Sequence, residues 1–433
     1  MTREGWIEVE LGKVLRLKNG YAFKSSMYQN EGVPIIRISD INQGTVTADC
    51  AIRIKELKEY DSYQVEFGDI LIAMSGATTG KFGIYRERQK SYQNQRVGNL
   101  KLYSNRWIIK KYIYYLLFSI RQRILEDAYG GAQPNISAKN IEAIKFFLAP
   151  LPEQRAIVSK IEQLFSELDN GIVNLKNAKE NLEIYRQAVL KKAFEGELTN
   201  IKDIEWVTLG EVCDGVEYGT SSKSEKEGTV PVLRMGNIQN GEIDWEDLKF
   251  TSNKEEIIKY RLNKGDVLFN RTNSPEHVGK TAIFRGEREA IFAGYLIRIK
   301  YNKEVVNGYY LNYFLNCHIA KIYGNKVKSF GVNQSNINGT KLKKYPFPKT
   351  SMENQAEIVY QIESRLSVCD NILANIEEGL EKAEALRQSI LKRAFEGKLL
   401  SEDELKSCRK EPDWEPAEKL LERIKKENRG LKI

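Results

Sequence analysis

The chain has 433 residues, 41% of them hydrophobic and 29% charged, with a formal net charge of +8. That length predicts two to four domains, each large enough to bury its own core. No run of eighteen apolar residues occurs, so no membrane-spanning helix is expected. The start of the chain has no apolar signal-peptide core, and Cys50, Cys213, Cys317, Cys369 and Cys408 form no Cys-x-x-Cys pair. A reducing cytoplasm is therefore expected, with no zinc site and no disulfide framework.

Charge is unevenly placed. Residues 1–150 hold 22 Lys and Arg against 15 Asp and Glu, and residues 201–350 hold 23 against 18. Residues 151–200 hold 7 against 8, and residues 351–433 hold 15 against 18. Two basic blocks on slightly acidic spacers suit a polyanion gripped at two places.

The first block, 1–150, reads as mixed α and β. Pro34-Ile-Ile-Arg37 and Asp69-Ile-Leu-Ile-Ala73 are short β-like runs ending in turn residues. Trp107, Ile113, Leu116, Leu117 and Ile120 mark a helix over 107–125. From Glu153 to Phe194, Ile157, Ile161, Leu164, Leu168, Ile172, Leu175, Ala178, Leu182, Tyr185 and Val189 recur at spacings of three and four. That is the apolar seam of one long helix, about 60 Å at 1.5 Å per residue. Pro152 suits its entrance, and Gly196 stands where a C-terminal cap belongs.

The chain then repeats itself. Arg186-Gln-Ala-Val-Leu-Lys-Lys-Ala-Phe-Glu-Gly196 returns as Arg387-Gln-Ser-Ile-Leu-Lys-Arg-Ala-Phe-Glu-Gly397, 201 residues later. The second seam runs through Ile358, Ile362, Cys369, Leu373, Ile376, Leu380, Ala383, Leu386 and Ile390, with Pro348 before it. The globular blocks repeat more weakly. Val9-Glu-Leu-Gly12 answers Val207-Thr-Leu-Gly210, Gly68-Asp69 answers Gly265-Asp266, and Gly80-Lys81 answers Gly279-Lys280. Gln133-Pro-Asn135-Ile136 answers Gln334-Ser-Asn336-Ile337.

The expected fold is α+β: two mixed α/β domains joined by two long antiparallel helices, a coiled-coil spacer with pseudo-two-fold symmetry. The divisions expected are 1–150, 151–200, 201–350, 351–400 and a charged tail 401–433 whose short helix begins near Pro416. That tail is too small to fold alone and should dock on the body or on a partner.

Catalytic residues are hard to find. His277 and His318 are the only histidines, and neither has a counterpart in the first block, which excludes a His-based triad or a zinc-hydrolase helix. Gly76-Ala-Thr-Thr-Gly80-Lys81-Phe82 is one residue short of a phosphate-binding loop and lacks its Ser or Thr. Asp40 with Glu56-Leu-Lys58 is the best nuclease candidate, but the second block does not repeat it. Asp69 and Asp266 are better read as turn caps.

The helix-end repeats, the stretch Gly68-Asp-Ile-Leu-Ile-Ala-Met-Ser-Gly-Ala-Thr-Thr-Gly-Lys81 and the run Ala132-Gln-Pro-Asn-Ile-Ser137 leading to Pro150-Leu-Pro-Glu-Gln154 resemble specificity subunits of type I restriction–modification systems. The resemblance covers almost the whole chain. It implies a non-catalytic chain whose two target-recognition domains each read one half of a bipartite site in double-stranded DNA. It also implies that the helices set the spacing and hold two methyltransferase subunits, with nuclease–translocase subunits joining the assembly. No cofactor would be bound by this chain; S-adenosylmethionine, ATP and magnesium would belong to the partner subunits. The second block departs from the pattern, with Asn270-Arg-Thr-Asn-Ser-Pro-Glu-His-Val in place of Met74-Ser-Gly-Ala-Thr-Thr.

Base-edge and phosphate contacts need basic, amide or hydroxyl side chains on loops. The candidates in the first block are Ser75, Thr78, Thr79 and Lys81, then Arg37, Arg96, Gln133 and Asn135. In the second they are Arg234, Asn237, Arg271, Asn273, Lys280, Lys328, Asn333, Gln334 and Asn336. Phe194 and Phe395 are candidate docking points for the methyltransferases, unless they only cover a helix end. The rival readings are a coiled-coil adaptor without sequence-specific DNA binding and a nuclease or methyltransferase acting alone.

Overall fold

The computed structural model describes residues 3–42, 44–128, 135–199, 201, 203–331 and 334–430. It divides into two compact units, one comprising Met1–Val173 with Leu380–Ile433 and the other Asn174–Gly379. Each long helix contributes to both units, with 151–173 and 380–395 in the first and 174–194 and 352–379 in the second.

In the first unit, a six-stranded sheet has the order Leu15–Asn19, Val97–Leu102, Ile70–Ala73, Phe82–Tyr85, Gly44–Val46, Ile41–Asn42. A four-stranded sheet orders Arg53–Ile54, Val33–Ile36, Ser91–Gln93 and Gln64–Val65. Ile70–Ala73 and Val33–Ile36 are buried at every position, as central strands covered on both faces should be. The expected helix over 107–125 is two helices, Lys110–Ser119 and Arg121–Ala128. The register breaks at Ile120, whose N–H still bonds to the Leu116 carbonyl.

The second unit repeats the frame. Cys213–Tyr218, Leu296–Tyr301, Val267–Asn270 and Thr281–Ile283 form its main sheet in the order of the first unit's leading four strands. Helix Gly308–Asn316 stands in place of Lys110–Ser119.

Both long helices contain 44 residues, Leu151–Phe194 and Met352–Phe395. Pro152 lies inside the first turn of one, where its missing N–H costs nothing. Pro348 belongs instead to strand Pro346–Lys349, ahead of the other. Each helix ends in the expected glycine cap. Gly196 and Gly397 have φ of +80° and +71°, and Glu197 and Lys398 donate back to the carbonyls of Lys192 and Arg393. These are Schellman closures, which only a residue at ease in the left-handed region closes cheaply.

The helices run antiparallel within each unit. Arg387 pairs with Asp169 in the first, while Arg186 pairs with Asp370 and Lys179 with Glu377 in the second. The seam is buried at Ile157, Ile161, Leu182, Val189, Ile358, Ile362, Cys369, Ile376, Ala383 and Ile390. Tyr185 and Leu386, both assigned to it, are 49% and 51% exposed. They occupy equivalent positions in the two copies. A two-helix contact covers too narrow a stripe of each helix to include them.

The tail docks on the body of its own unit. Helices Glu402–Arg409 and Ala417–Gly430 put Leu405, Leu421 and Ile424 into a core shared with Trp6, Ile157 and Ile161. Arg155 grips Glu411 and Asp413, and Glu153 accepts from the indoles of both Trp6 (2.7 Å) and Trp414 (3.3 Å).

Candidate nucleic-acid interface

Two buried glutamines fix the frame on which the candidate loops sit. Gln154 accepts from the Ile109 N–H at 3.0 Å and donates to the Ala149 carbonyl at 2.9 Å. Gln355 accepts from the Asn307 N–H at 2.8 Å and donates to Val305 and Thr350. Each ties the start of its long helix to the start of the domain helix. Sequence reasoning missed this role, although Gln154 closes the Pro-Leu-Pro-Glu-Gln run.

Asp69 and Asp266 are turn caps, and more than that. Asp69 accepts from the Glu66 N–H at 2.9 Å and from Asn99 and Lys101 on the neighbouring strand. Asp266 accepts from the Asn263 N–H and from Arg298. Burial alone would lower the Lys101 ammonium, but its hydrogen bonds to Asp69 and Glu66 carry its pKa above the ordinary value.

The loops from the first sheet are closed by one device in both units. The Ala73 carbonyl accepts from Gly80 N–H while the Ala73 N–H donates to Lys81; Asn270 does the same with Gly279 and Lys280. Met74 bonds Arg96 and Ile136 through its backbone, as Arg271 bonds Tyr295 and Ile337. Arg271 is thus the structural counterpart of Met74, and the second loop carries two extra residues.

The second unit brings its predicted residues together. Thr272–Asn273, Ser335–Asn336 and Ser329–Phe330 form a small three-stranded antiparallel sheet. Asn336 donates to Thr272 Oγ1 at 2.7 Å, and Lys328 donates to the Pro275 carbonyl and to Asn325. Gln334 is exposed beside them. Arg271 lies over the Tyr218 ring at 4.9 Å and donates to the Gly294 carbonyl, so its head is partly committed. In the first unit the corresponding link is a bridge between Ser75 and Asn135, with Arg96 and Asn135 exposed. Gln133 and Asn333 lie outside the described residues.

Several candidates have structural work instead. Asn237 is 3% exposed; its side chain accepts from the Arg234 N–H and donates to the carbonyls of Asp244 and Glu246. Asp40 holds the equivalent place, accepting from the Arg37 N–H at 2.8 Å. Glu56, its supposed partner, is paired with Lys90. Arg234 is anchored to Asp247, and Arg37 lies beside Asp40. Thr79 donates to the Gly76 carbonyl at 2.6 Å, whereas the hydroxyls of Ser75 and Thr78 are buried without a hydrogen-bond partner. A short loop turning through positive φ at Gly76 and Gly80 draws its own hydroxyls inward. Lys280 donates to Gln239 at 3.0 Å, and burial pushes its pKa down.

Phe194 and Phe395, the candidate docking points, are both buried. Phe194 is 1% exposed, edge-on to Tyr310 and Phe314, and Phe395 packs against Tyr112. Each covers a helix end. Among the described residues no group of three or more His, Cys, Asp or Glu side chains could hold a metal, and no helix is long and apolar enough to cross a membrane.

The sequence matches the family model described as "Type I restriction modification DNA specificity domain" twice, at residues 3–177 and 201–382. The chain belongs to that specificity-subunit family. It is 26% identical to the type I restriction enzyme EcoKI specificity subunit of Escherichia coli strain K12, covering 98% of this chain and 96% of the relative. It is 25% identical to the EcoBI specificity subunit of Escherichia coli, over 98% and 92%. Half of the chain (49%) is 32% identical to half (50%) of a putative MjaX specificity subunit from Methanocaldococcus jannaschii. The fold is shared with a solved chain from a study of type I R-M complex assembly and conformational transition (TM-score 0.69, 19% identity, 92% and 100% coverage). It is also shared with the HsdS subunit from Thermoanaerobacter tengcongensis (TM-score 0.55, 18% identity, 92% and 98%). The role of a specificity subunit in type I systems is non-catalytic.

Proposed function

We propose that this specificity subunit reads a bipartite site in duplex DNA, one half through each unit, and delivers that site to methyltransferase subunits. The observation that carries the reading is the convergence of Asn273 and Asn336 on one small sheet, with Lys328 and Gln334 immediately beside its strands. The equivalent link in the other unit joins Ser75 to Asn135. Amide side chains on a rigid ladder are what base-edge readout requires, and the adjoining lysines and arginines serve phosphates.

The partner surface lies on the outer faces of the long helices. Ile184, Tyr185 and Leu386 are exposed there, outside the buried seam. Two copies of one such surface suit two methyltransferase subunits, with nuclease–translocase subunits completing the complex. S-adenosylmethionine, ATP and magnesium are then bound by those partners.

The test is to co-express the chain with its methyltransferase subunit and map adenine methylation across a plasmid by single-molecule sequencing. One split motif is expected, with a gap that changes when residues are inserted within 160–190. Methylation at a continuous motif, or none, would overturn the reading in favour of an adaptor that binds proteins alone.

A further inference from the structure

Phe330 is the most conspicuous side chain on the small sheet of the second unit. It is 73% exposed, although the core of that unit lies one sheet away. Its backbone is held in register with Ser335, and the Gly331 N–H closes onto the Gln334 carbonyl at 2.7 Å. The ring is therefore carried on a strand paired to its neighbour. Two lysines stand nearby. The Lys328 ammonium lies 5.5 Å from the ring centroid, and Lys341 donates to Ser329 Oγ at 2.6 Å. Asn336 and Asn273 follow on the adjoining strands.

A single exposed phenylalanine is ordinary by itself; its place beside lysines and amides on a paired strand is what singles this one out. Here the sequence keeps an aromatic at the same place twice. Phe330-Gly-Val-Asn-Gln334-Ser-Asn336-Ile337 is answered 201 residues earlier by Tyr129-Gly-Gly-Ala-Gln133-Pro-Asn135-Ile136. The aromatic-Gly-x-x-Gln-x-Asn-Ile pattern joins the ring to the amides that are proposed to read bases.

We propose that Phe330 is a wedge that inserts its ring at one base step of the half-site read by the second unit, opening that step while Asn273, Gln334 and Asn336 read the neighbouring edges. The inference rests on the bipartite reading above. Lysines beside the ring match the phosphates that flank any step, and an apolar ring is the group that replaces a lost stacking partner. Readout would then include the ease with which that step unstacks, which no hydrogen-bond donor can sense.

The experiment uses the full complex of the chain with its methyltransferase subunits. Its motif is first mapped, and 2-aminopurine is then placed at each position of both half-sites. The native complex should raise 2-aminopurine fluorescence at one step of one half-site. Phe330→Ala should abolish that rise, weaken binding to the specific duplex by about tenfold or more, and relax methylation in that half only. Phe330→Leu, which keeps an apolar wedge, should retain most of the signal. Binding to unrelated duplex should be unchanged, because Lys328 and Lys341 remain.

Equal methylation and equal affinity for native and Phe330→Ala complexes at a split motif would overturn the wedge and leave the bipartite reading standing. So would loss of methyltransferase co-purification with DNA selectivity intact, since the ring would then face protein. Absence of any split motif in the native complex would defeat the reading and the wedge together. Thermal melting separates these results from misfolding: a residue 73% exposed should change the midpoint little when truncated.

Discussion

Arg387 reaches across to Asp169 with its guanidinium 4.5 Å from the centre of the Phe165 ring. The second unit repeats the ion pair as Arg186 with Asp370. The aspartates are 60% and 65% exposed, so solvent screens both pairs and neither supplies much stability. Double-mutant cycles by urea unfolding, using Asp169→Ala with Arg387→Ala and Asp370→Ala with Arg186→Ala, should give couplings below about 1 kcal/mol. Truncating Arg387 should cost more than truncating Asp169, because it also uncovers the Phe165 ring.

Gln154 and Gln355 should be far more costly to change. Each is fully buried, and replacement by Leu strands a backbone N–H and at least one carbonyl. Gln154→Leu and Gln355→Leu should each lower unfolding free energy by about 1–3 kcal/mol. Hydrogen exchange should place the loss around Ile109 in one case and Asn307 in the other.

Asn237 separates a fold role from a reading role. Its amide donates to two carbonyls that an aspartate could not satisfy, so Asn237→Asp should destabilise the second unit although Asp40 occupies the same place in the first. A loss of about 1–3 kcal/mol is expected, with the methylated motif unchanged. A change of motif at native stability would return Asn237 to the DNA.

The docked tail should be sensitive to acid. Hydrogen bonding to Arg155 holds the Asp413 carboxyl below its ordinary value, and the Ser401 backbone N–H and Lys160 do the same for Glu404. A carboxylate with a depressed folded pKa stabilises above its unfolded pKa and loses that contribution as the pH falls through the folded one. Tail docking should therefore be intact at neutral pH and loosen below about pH 4. Tryptophan emission can follow this, since Trp414 and Trp6 share Glu153. Arg155→Ala should make docking weaker at neutral pH and flatten its acid dependence.

The repeat made the long helices and their glycine caps legible, because Ala-Phe-Glu-Gly is a local signal and the spacing of apolar residues is set by the helix itself. The doubled sheet frame could be anticipated from Gly-Asp turns for the same reason. Side-chain commitments could not. Ser75, Thr78 and Thr79 look like free hydroxyls in a polar loop, yet the loop turns them inward. Phe194 and Phe395 sit at helix ends, where only the placement of Tyr310 and Tyr112 decides that they are core. The contact between Asn273 and Ser335 joins residues 62 positions apart, and no local pattern announces it.

The loop closure at Ala73 and Asn270 has an evolutionary corollary. The same pair of backbone bonds seals six intervening residues in one unit and eight in the other. By loop-closure entropy the longer version costs only about 0.3 kcal/mol more. Backbone clasps of this kind ask nothing of the side chains they enclose. A lineage can therefore lengthen, shorten or exchange the segment beyond the clasp while the sheet beneath stays as it was. If these loops read DNA as proposed, new targets would arise as replaceable tips on an unchanged handle.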